Sequence, residues 1–224
     1  AELNALEGYH QTTEVGQADL GVEIVYSISD TGALIVGAVR AAGGADADMY
    51  NNALSVSVLG SVLGSEATTL VGIDPFDGIY AINDDFANIL GAPTATDDIL
   101  NAASSVTLTD TVNSLETNRV AILASTTVDS IVVSDDAANL AGATTALTDA
   151  DLISINVPVT DGDAANVGTI LEAGKPTTYG VQDTFAALYN VSDAITTMVA
   201  SAASVDVLGG ADLTVADATN LTAV

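Results

Sequence analysis

The chain of 224 residues contains no cysteine and no tryptophan, a single histidine, and only three basic residues, Arg40, Arg119 and Lys175, set against thirty Asp and Glu. Each scarcity removes a class of chemistry. Without cysteine there are no disulfides and no thiolate metal sites. His10 alone cannot furnish a Ser-His-Asp arrangement or a histidine metal cage within one chain. Three scattered cations cannot drive the counterion release on which phosphate-backbone binding depends, so nucleic acid is not an expected partner. A net charge of −27 is likewise repelled by an anionic membrane surface. Apolar stretches such as 99–112 are broken by polar residues well short of the roughly 20 that a membrane span needs, so no membrane insertion is expected. No Gly-Lys-Ser/Thr and no Gly-x-Gly-x-x-Gly is present to cradle phosphates, and Gly60-Ser61-Val62-Leu63-Gly64 misses the Gly-x-Ser-x-Gly nucleophile elbow by one residue. Paired carboxylates of the glycosidase kind remain as a third function class, a carboxylate-dependent hydrolase. Six Tyr and three Phe give little of the aromatic platform on which such enzymes hold sugars. The expectation is a protein that is not an enzyme.

What the chain does have is small aliphatic bulk: 49% of it is apolar, and nearly all of that is Ala, Val, Leu and Ile. Such residues suit thin, regularly layered structures better than one deep irregular core. The layering is visible as a recurring pattern of alternating apolar residues, a small polar residue, an Asp, and then helical apolar spacing. The clearest copies are Tyr80-Ala81-Ile82-Asn83-Asp84-Asp85-Phe86-Ala87-Asn88-Ile89-Leu90 and Ile131-Val132-Val133-Ser134-Asp135-Asp136-Ala137-Ala138-Asn139-Leu140, with a third at Tyr26-Ser27-Ile28-Ser29-Asp30-Thr31. The marker aspartates, Asp30, Asp84, Asp110, Asp135, Asp161, Asp193 and Asp217, are separated by 54, 26, 25, 26, 32 and 24 residues, with Asp183 as an extra copy. A unit of about 25 residues accounts for most of these steps, the longest being two units with a degenerate copy at Ser55-Val56-Ser57-Val58-Leu59.

Period-two alternation predicts a short strand with one buried face. The Asp that follows predicts a helix N-cap, its carboxylate accepting the first free N–H groups and complementing the helix dipole. Gly91, Pro93, Gly142 and Gly174 supply stop signals. Strand, cap, helix and glycine in about 25 residues leave room only for parallel strands joined by helical crossovers, so the expected fold is α/β: a solenoid of strand-plus-short-helix repeats with a parallel sheet. An all-β solenoid, with the Ala-rich segments as turns, is the alternative. Strands are expected near 80–82, 106–108, 131–133, 155–159, 179–181 and 213–215, in one sheet, each helix starting at its Asp. Residues 1–78 are expected to form a leader or cap with degenerate repeats, and residues 79–224 the regular region, with the turn sequence Asp74-Pro75-Phe76-Asp77-Gly78 as boundary.

The motif Tyr-x-Ile/Val-x-Asp-(Thr/Asp)-x-Ala-Asn-Leu at 80–90 and 131–140, together with Val207-Leu208-Gly209-Gly210-Ala211-Asp212-Leu213-Thr214-Val215, resembles the "VSDTAANL"-type repeats of large secreted and cell-surface proteins of cyanobacteria and other bacteria. The resemblance covers roughly 79–224 and faintly 22–40. It implies an extracellular or cell-surface location and a structural or adhesive role, and it carries no catalytic residues.

With so many carboxylates and so few cations, calcium is the expected ligand class, since it takes six to eight oxygens from loops rich in Asp and Asn. The candidate metal residues are Asp46 with Asp48, Asp74 with Asp77, and Asp161 with Asp163; Asp97 with Asp98 and Asp149 with Asp151 are further acidic pairs. No EF-hand pattern is present, and Gly43-Gly44-Ala45-Asp46 and Gly209-Gly210-Ala211-Asp212 only echo the calcium nonapeptide. The expected function is therefore a structural or assembly module of a bacterial surface layer, filament or giant adhesin. The alternative is a calcium-dependent adhesive module for glycan or mineral surfaces. The last unit begins a helix with Ala218, Leu221 and Val224 and shows no polar cap, so residues 205–224 are expected to lie against another copy, or against residues 1–25 of a neighbour, in a head-to-tail or filamentous association.

Bringing −27 together carries a self-repulsion that bound divalent ions relieve locally and simple salt relieves only by screening. The melting temperature is therefore expected to rise more in millimolar CaCl2 than in NaCl of matched ionic strength; equal shifts in a thermal melt would leave screening as the whole effect.

Overall fold

In a computed structural model of the chain, the described residues are 27–41, 53, 55–73, 76, 79–91, 97–189 and 193–208. The chain divides into two compact units, 1–107 and 108–224. In the first, strand β1 (Ser27–Thr31) runs into helix α1 (Gly32–Ala41), and β2 (Ser55–Leu59) pairs in parallel with β1, Ile28 opposite Val56. Gly60, at a φ of 80°, a left-handed conformation that glycine adopts without strain, separates β2 from β3 (Ser61–Val62). Helix α2 (Gly64–Leu70) leads to β4 (Ala81–Asp84), which lies parallel to β3 with Val62 opposite Ile82. A π-helical turn (Ala87–Gly91) and α3 (Asp97–Ala102) follow. Strand β5 (Ser105–Asp110) contains residues of both units.

The second unit continues with α4 (Val112–Ala124), β6 (Ser130–Asp135), α5 (Ala137–Gly142), α6 (Thr144–Asp149) and β7 (Leu152–Ile155). A 3₁₀ turn (Asp161–Asp163) opens α7 (Ala164–Glu172), and β8 (Thr177–Thr178), β9 (Gly180–Thr184), α8 (Phe185–Tyr189), α9 (Asp193–Ser201) and β10 (Ser204–Leu208) complete the described order. The architecture is α/β, with a six-stranded parallel sheet in the order β3-β4-β5-β6-β7-β8 and two-stranded parallel pairs β1-β2 and β9-β10. The helices between strands set aside the all-β alternative. Among the described residues no helix is long and apolar enough to cross a membrane.

The five strands that end in an aspartate bury apolar residues at the same offsets from it. Two residues before it lies a buried strand residue: Ile28, Ile82, Leu108, Val133 and Val181. Five residues after it lies a buried residue of the following helical segment: Ile35, Ile89, Leu115, Leu140 and Leu188. Period two on the strand and near-period four after the cap thus turn apolar residues of strand and following helical segment inward together. Gly32 is where backbone approach is tightest, because a Cβ there would sit 2.3 Å from Val62 Cγ1, so α1 can start against β3 only without a side chain.

Several sequence expectations shift in the folded chain. Strand β2 forms where the degenerate copy was read. The strand expected at 155–159 instead occupies Leu152–Ile155, because Ile153 and Ile155 supply the inward alternation and Pro158, with no N–H, cannot extend a ladder. Val159 makes only an isolated parallel bridge to Val181. Strand β9 pairs with β10 in a sheet separate from the six-stranded one. The strand β10 at 204–208 carries the alternation of Val205 and Val207 but no closing Asp, so the marker pattern passes over it. The strand expected at 213–215 lies outside the described residues, as does the 74–78 boundary turn apart from Phe76.

Two buried tyrosines fasten strands to helices at matching intervals. The Tyr80 hydroxyl donates to Ile99 O (2.6 Å) and the Tyr179 hydroxyl to Met198 O (2.7 Å), each partner nineteen residues further on (|i−j|=19). The Ser104 N–H donates to Tyr80 O (2.7 Å) and the Ala203 N–H to Tyr179 O (2.9 Å). Burial pushes both phenols above their ordinary range, so their contribution to stability is present below the ordinary tyrosine pKa and is lost as pH rises through the folded value. Tyr179→Phe removes one such bond while keeping the ring, and is expected to lower stability by about 1 kcal/mol in denaturant unfolding, with a shallower loss of stability at alkaline pH than the parent chain.

Candidate functional site: the acidic strand ends

The recurrent chemistry of the molecule sits where strands end. Asp84, Asp110 and Asp135 close β4, β5 and β6, and Asp30 and Asp183 are the penultimate residues of β1 and β9. At all five, one carboxylate oxygen accepts the N–H of the next residue: Thr31, Asp85, Thr111, Asp136 and Thr184 donate over 2.6–2.9 Å. That short-range bond orients the carboxylate across the strand end.

The marker aspartate is not the N-cap of its own helix, which corrects the sequence expectation. The cap is the residue after it. Asp85 Oδ1 accepts the Asn88 N–H (2.9 Å), Asp136 Oδ1 the Asn139 N–H (2.8 Å), Thr111 Oγ1 the Ser114 N–H (3.4 Å) and Thr184 Oγ1 the Ala187 N–H (3.3 Å). Asp136 has φ −73° and ψ 161°, the extended conformation of an N-cap, so helical geometry begins at Ala137, two residues after the marker. The side chain four residues after the marker then bonds back to it: Asn88 Nδ2 to Asp84 Oδ1 (3.0 Å), Asn139 Nδ2 to Asp135 Oδ1 (3.0 Å), and the Ser114 hydroxyl to Asp110 Oδ2 (2.6 Å).

The second oxygen of the marker reaches sideways to the layer that precedes it in sequence. Asp84 Oδ2 accepts the Gly64 N–H (3.0 Å), Asp135 Oδ2 the Val112 N–H (3.2 Å) and Asp183 Oδ2 the Asp161 N–H (2.9 Å). In each case the donor is the first residue of a helical segment: α2, α4 and the 3₁₀ turn. These first-turn N–H groups have no partner within their own helix, so the carboxylate fills a vacancy and faces the positive end of the helix dipole. The Asp161 N–H, foremost among its neighbours, holds the Asp183 carboxyl below the ordinary aspartate range, against the opposing effect of desolvation.

Of the candidate metal residues, Asp46, Asp48, Asp74 and Asp77 lie outside the described residues. Asp161 and Asp163 share the 3₁₀ turn that opens α7, but Asp163 Oδ2 accepts from both the Thr160 N–H and the Thr160 hydroxyl (2.9 Å each), a capping box, while Asp161 is an exposed residue that contributes its N–H to Asp183. Asp149 is held by Arg119, whose Nη2 donates at 3.1 Å and whose Nε also contacts it, and Asp151 Oδ2 accepts the Ile131 N–H (2.9 Å). Among the described residues no three acidic or histidine side chains converge as a metal site would require. The hollow between Leu115, Arg119, Ile122, Ile131 and Asp149 has a volume of about 10 Å³, room for about one water.

The residues missed by sequence reading are the partners of the markers: Asp85 and Asp136 as the actual caps, Asn88, Asn139 and Ser114 bonding back, and the two tyrosines. The doubled Asp-Asp at 84–85 and 135–136, with Asn four residues after the first, was the available signal. No protein-family model matches the chain, and no curated protein matches it.

Replacing Asp135 or Asp183 by Asn keeps the size but puts an amide donor where one of the N–H groups donates. Each change is expected to lower stability by roughly 1–2 kcal/mol in denaturant unfolding at neutral pH. For Asp183, whose folded pKa is depressed, the stabilisation exists above the ordinary carboxylate pKa and is lost as pH falls through the folded value. The stability difference between parent and Asp183→Asn should therefore shrink on acidification, as read from unfolding midpoints across the acid limb.

Proposed function

We propose that this chain is a non-enzymatic structural module of a secreted or cell-surface bacterial assembly, a solenoid of strand-plus-helix layers of about 25 residues that works by stacking. The observation that supports it most directly is the sideways bond from a strand-end aspartate to the first helical N–H of the preceding layer, made at Asp84, Asp135 and Asp183 with the same atoms. Polar side chains that in an enzyme would converge on a substrate are here occupied in holding one layer to the next. The paired tyrosine contacts, with partners at the same sequence intervals in 80–104 and 179–203, support the same reading.

The composition supports an extracellular, ion-rich setting: −27 on 224 residues is tolerated best where salt or divalent cations screen it. Calcium bound at acidic turns, Asp161 and Asp163 included, is part of the proposal, with the ion relieving repulsion between neighbouring carboxylates. The resemblance to "VSDTAANL"-type repeats of large surface proteins agrees with a structural or adhesive role. Electron microscopy and size-exclusion chromatography of the full chain in high salt, with and without calcium, should reveal ordered head-to-tail multimers. A species that stays monomeric at every concentration in both conditions would overturn the assembly role.

A further inference from the structure

The marker aspartate recurs at about every layer, but a stricter pattern recurs only at every second one. Tyr/Ile-x-Ile/Val-x-Asp-x-x-Ala-x-Ile/Leu stands at 26–35, 80–89, 131–140 and 179–188, with starts 54, 51 and 48 residues apart, and nowhere else in the chain. The strands between these copies open differently: β2, β5 and β10 begin Ser55-Val56, Ser105-Val106 and Ser204-Val205, and β7 begins Leu152-Ile153. Pairing follows the same alternation. Ile28 lies opposite Val56, Val133 opposite Ile153 and Val181 opposite Val205, so Asp30, Asp135 and Asp183 stand opposite Val58, Ile155 and Val207, strand residues of the layer that follows. In the other direction Asp84, Asp135 and Asp183 reach back to the helix-start N–H groups of Gly64, Val112 and Asp161. Each of these donors belongs to a layer of the second kind.

We propose that the building unit of this chain is a module of two unlike layers, about 50 residues long, beginning at 26, 80, 131 and 179, and that Asp84, Asp135 and Asp183 are the joints between modules. The inference goes beyond the single-layer stacking proposed above, concerns the inside of one chain, and holds whether or not copies associate. A first layer sets an aliphatic strand partner beside the layer after it and a carboxylate beside the layer before it. A second layer answers that carboxylate with a first-turn N–H that its own helix leaves without an acceptor. The two ends of a module therefore match the ends of its neighbours, so a whole module can be added without creating a new kind of junction. A single added layer sets two like layers side by side, a pairing that none of the described strand pairs contains.

The test lengthens the full chain and compares two variants in high salt. In one, a second copy of residues 131–178, a whole module, is inserted after Thr178; in the other, a second copy of 152–178 alone, one layer. Amide hydrogen exchange read by mass spectrometry reports whether the added residues are folded. Peptides from the repeated segment come from both copies, so an unfolded copy shows as half of the signal exchanging fast. The whole-module variant is expected to give slow exchange throughout 131–178, as in the parent chain. The one-layer variant is expected to give two populations over 152–178, one of them exchanging at least about a hundredfold faster. Uniformly slow exchange in the one-layer variant overturns the proposal, since the single layer is then sufficient as a unit. A fast half in the whole-module variant overturns it too, since the fold then does not accept the module.

Discussion

A layer made of one parallel strand and one short helix leaves the helix with first-turn N–H groups that nothing in the layer can accept. In this chain the next strand ends in a carboxylate placed beside that donor. Parallel register is what brings them together: with Val62 opposite Ile82, the residue two further along each chain is Gly64 on one side and Asp84 on the other. The donor needs a partner, the carboxylate needs its charge offset, and one contact satisfies both. Because the contact is set by register, the chain between layers can vary. The donor and acceptor are 20, 23 and 22 residues apart at Asp84, Asp135 and Asp183.

Where the aspartate is missing, the chain substitutes other polar contacts. Ile155 stands opposite Asp135 at the end of β7, and the chain then runs through Asn156-Val157-Pro158 before Thr160 and Asp163 build a capping box for the next helical turn. Val207 stands opposite Asp183 in β10, and the neighbouring pair is tied instead by Gln182 Nε2 donating to Asp206 Oδ2 (3.0 Å). Both keep the parallel ladder and lose the sideways carboxylate; β7 keeps its buried Ile153 and Ile155, whereas Val205 and Leu208 of β10 are exposed.

The same network gives an excess of acid a structural outlet. At Asp183 the backbone N–H groups of Asp161 and Thr184 favour the anion against desolvation, so this carboxylate needs no cation. Arg119 pairs with Asp149, and Arg40 Nη2 is directed at Ser65 O and Thr69 Oγ1 rather than at an acid. The charge left over is borne by exposed residues such as Asp98, Glu116 and Glu172, which is where an ion-rich environment or bound calcium acts in the proposed role.

Local chemistry determined the element types: alternation at Ile82, Val106 with Leu108, and Val133 specified strands, the residues after Asp84, Asp110 and Asp135 specified helical turns, and about 25 residues per unit left room only for parallel crossovers. These follow from period, propensity and length, which a sequence carries within a few residues. The tertiary structure alone decided what each carboxylate holds. A sequence shows that Asp135 precedes a helix, and a local rule assigns it to that helix; only the pairing of layers reveals that Asp136 takes the local cap and that Asp135 reaches a donor at Val112, far back in the chain. It likewise decided that 152–155 rather than 155–159 enters the sheet, that β9 leaves the six-stranded sheet to pair with β10, and that Tyr80 and Tyr179 end at helix carbonyls. Register, sheet membership and long-range hydrogen bonds depend on which segments lie side by side, and that is a property of the folded chain as a whole.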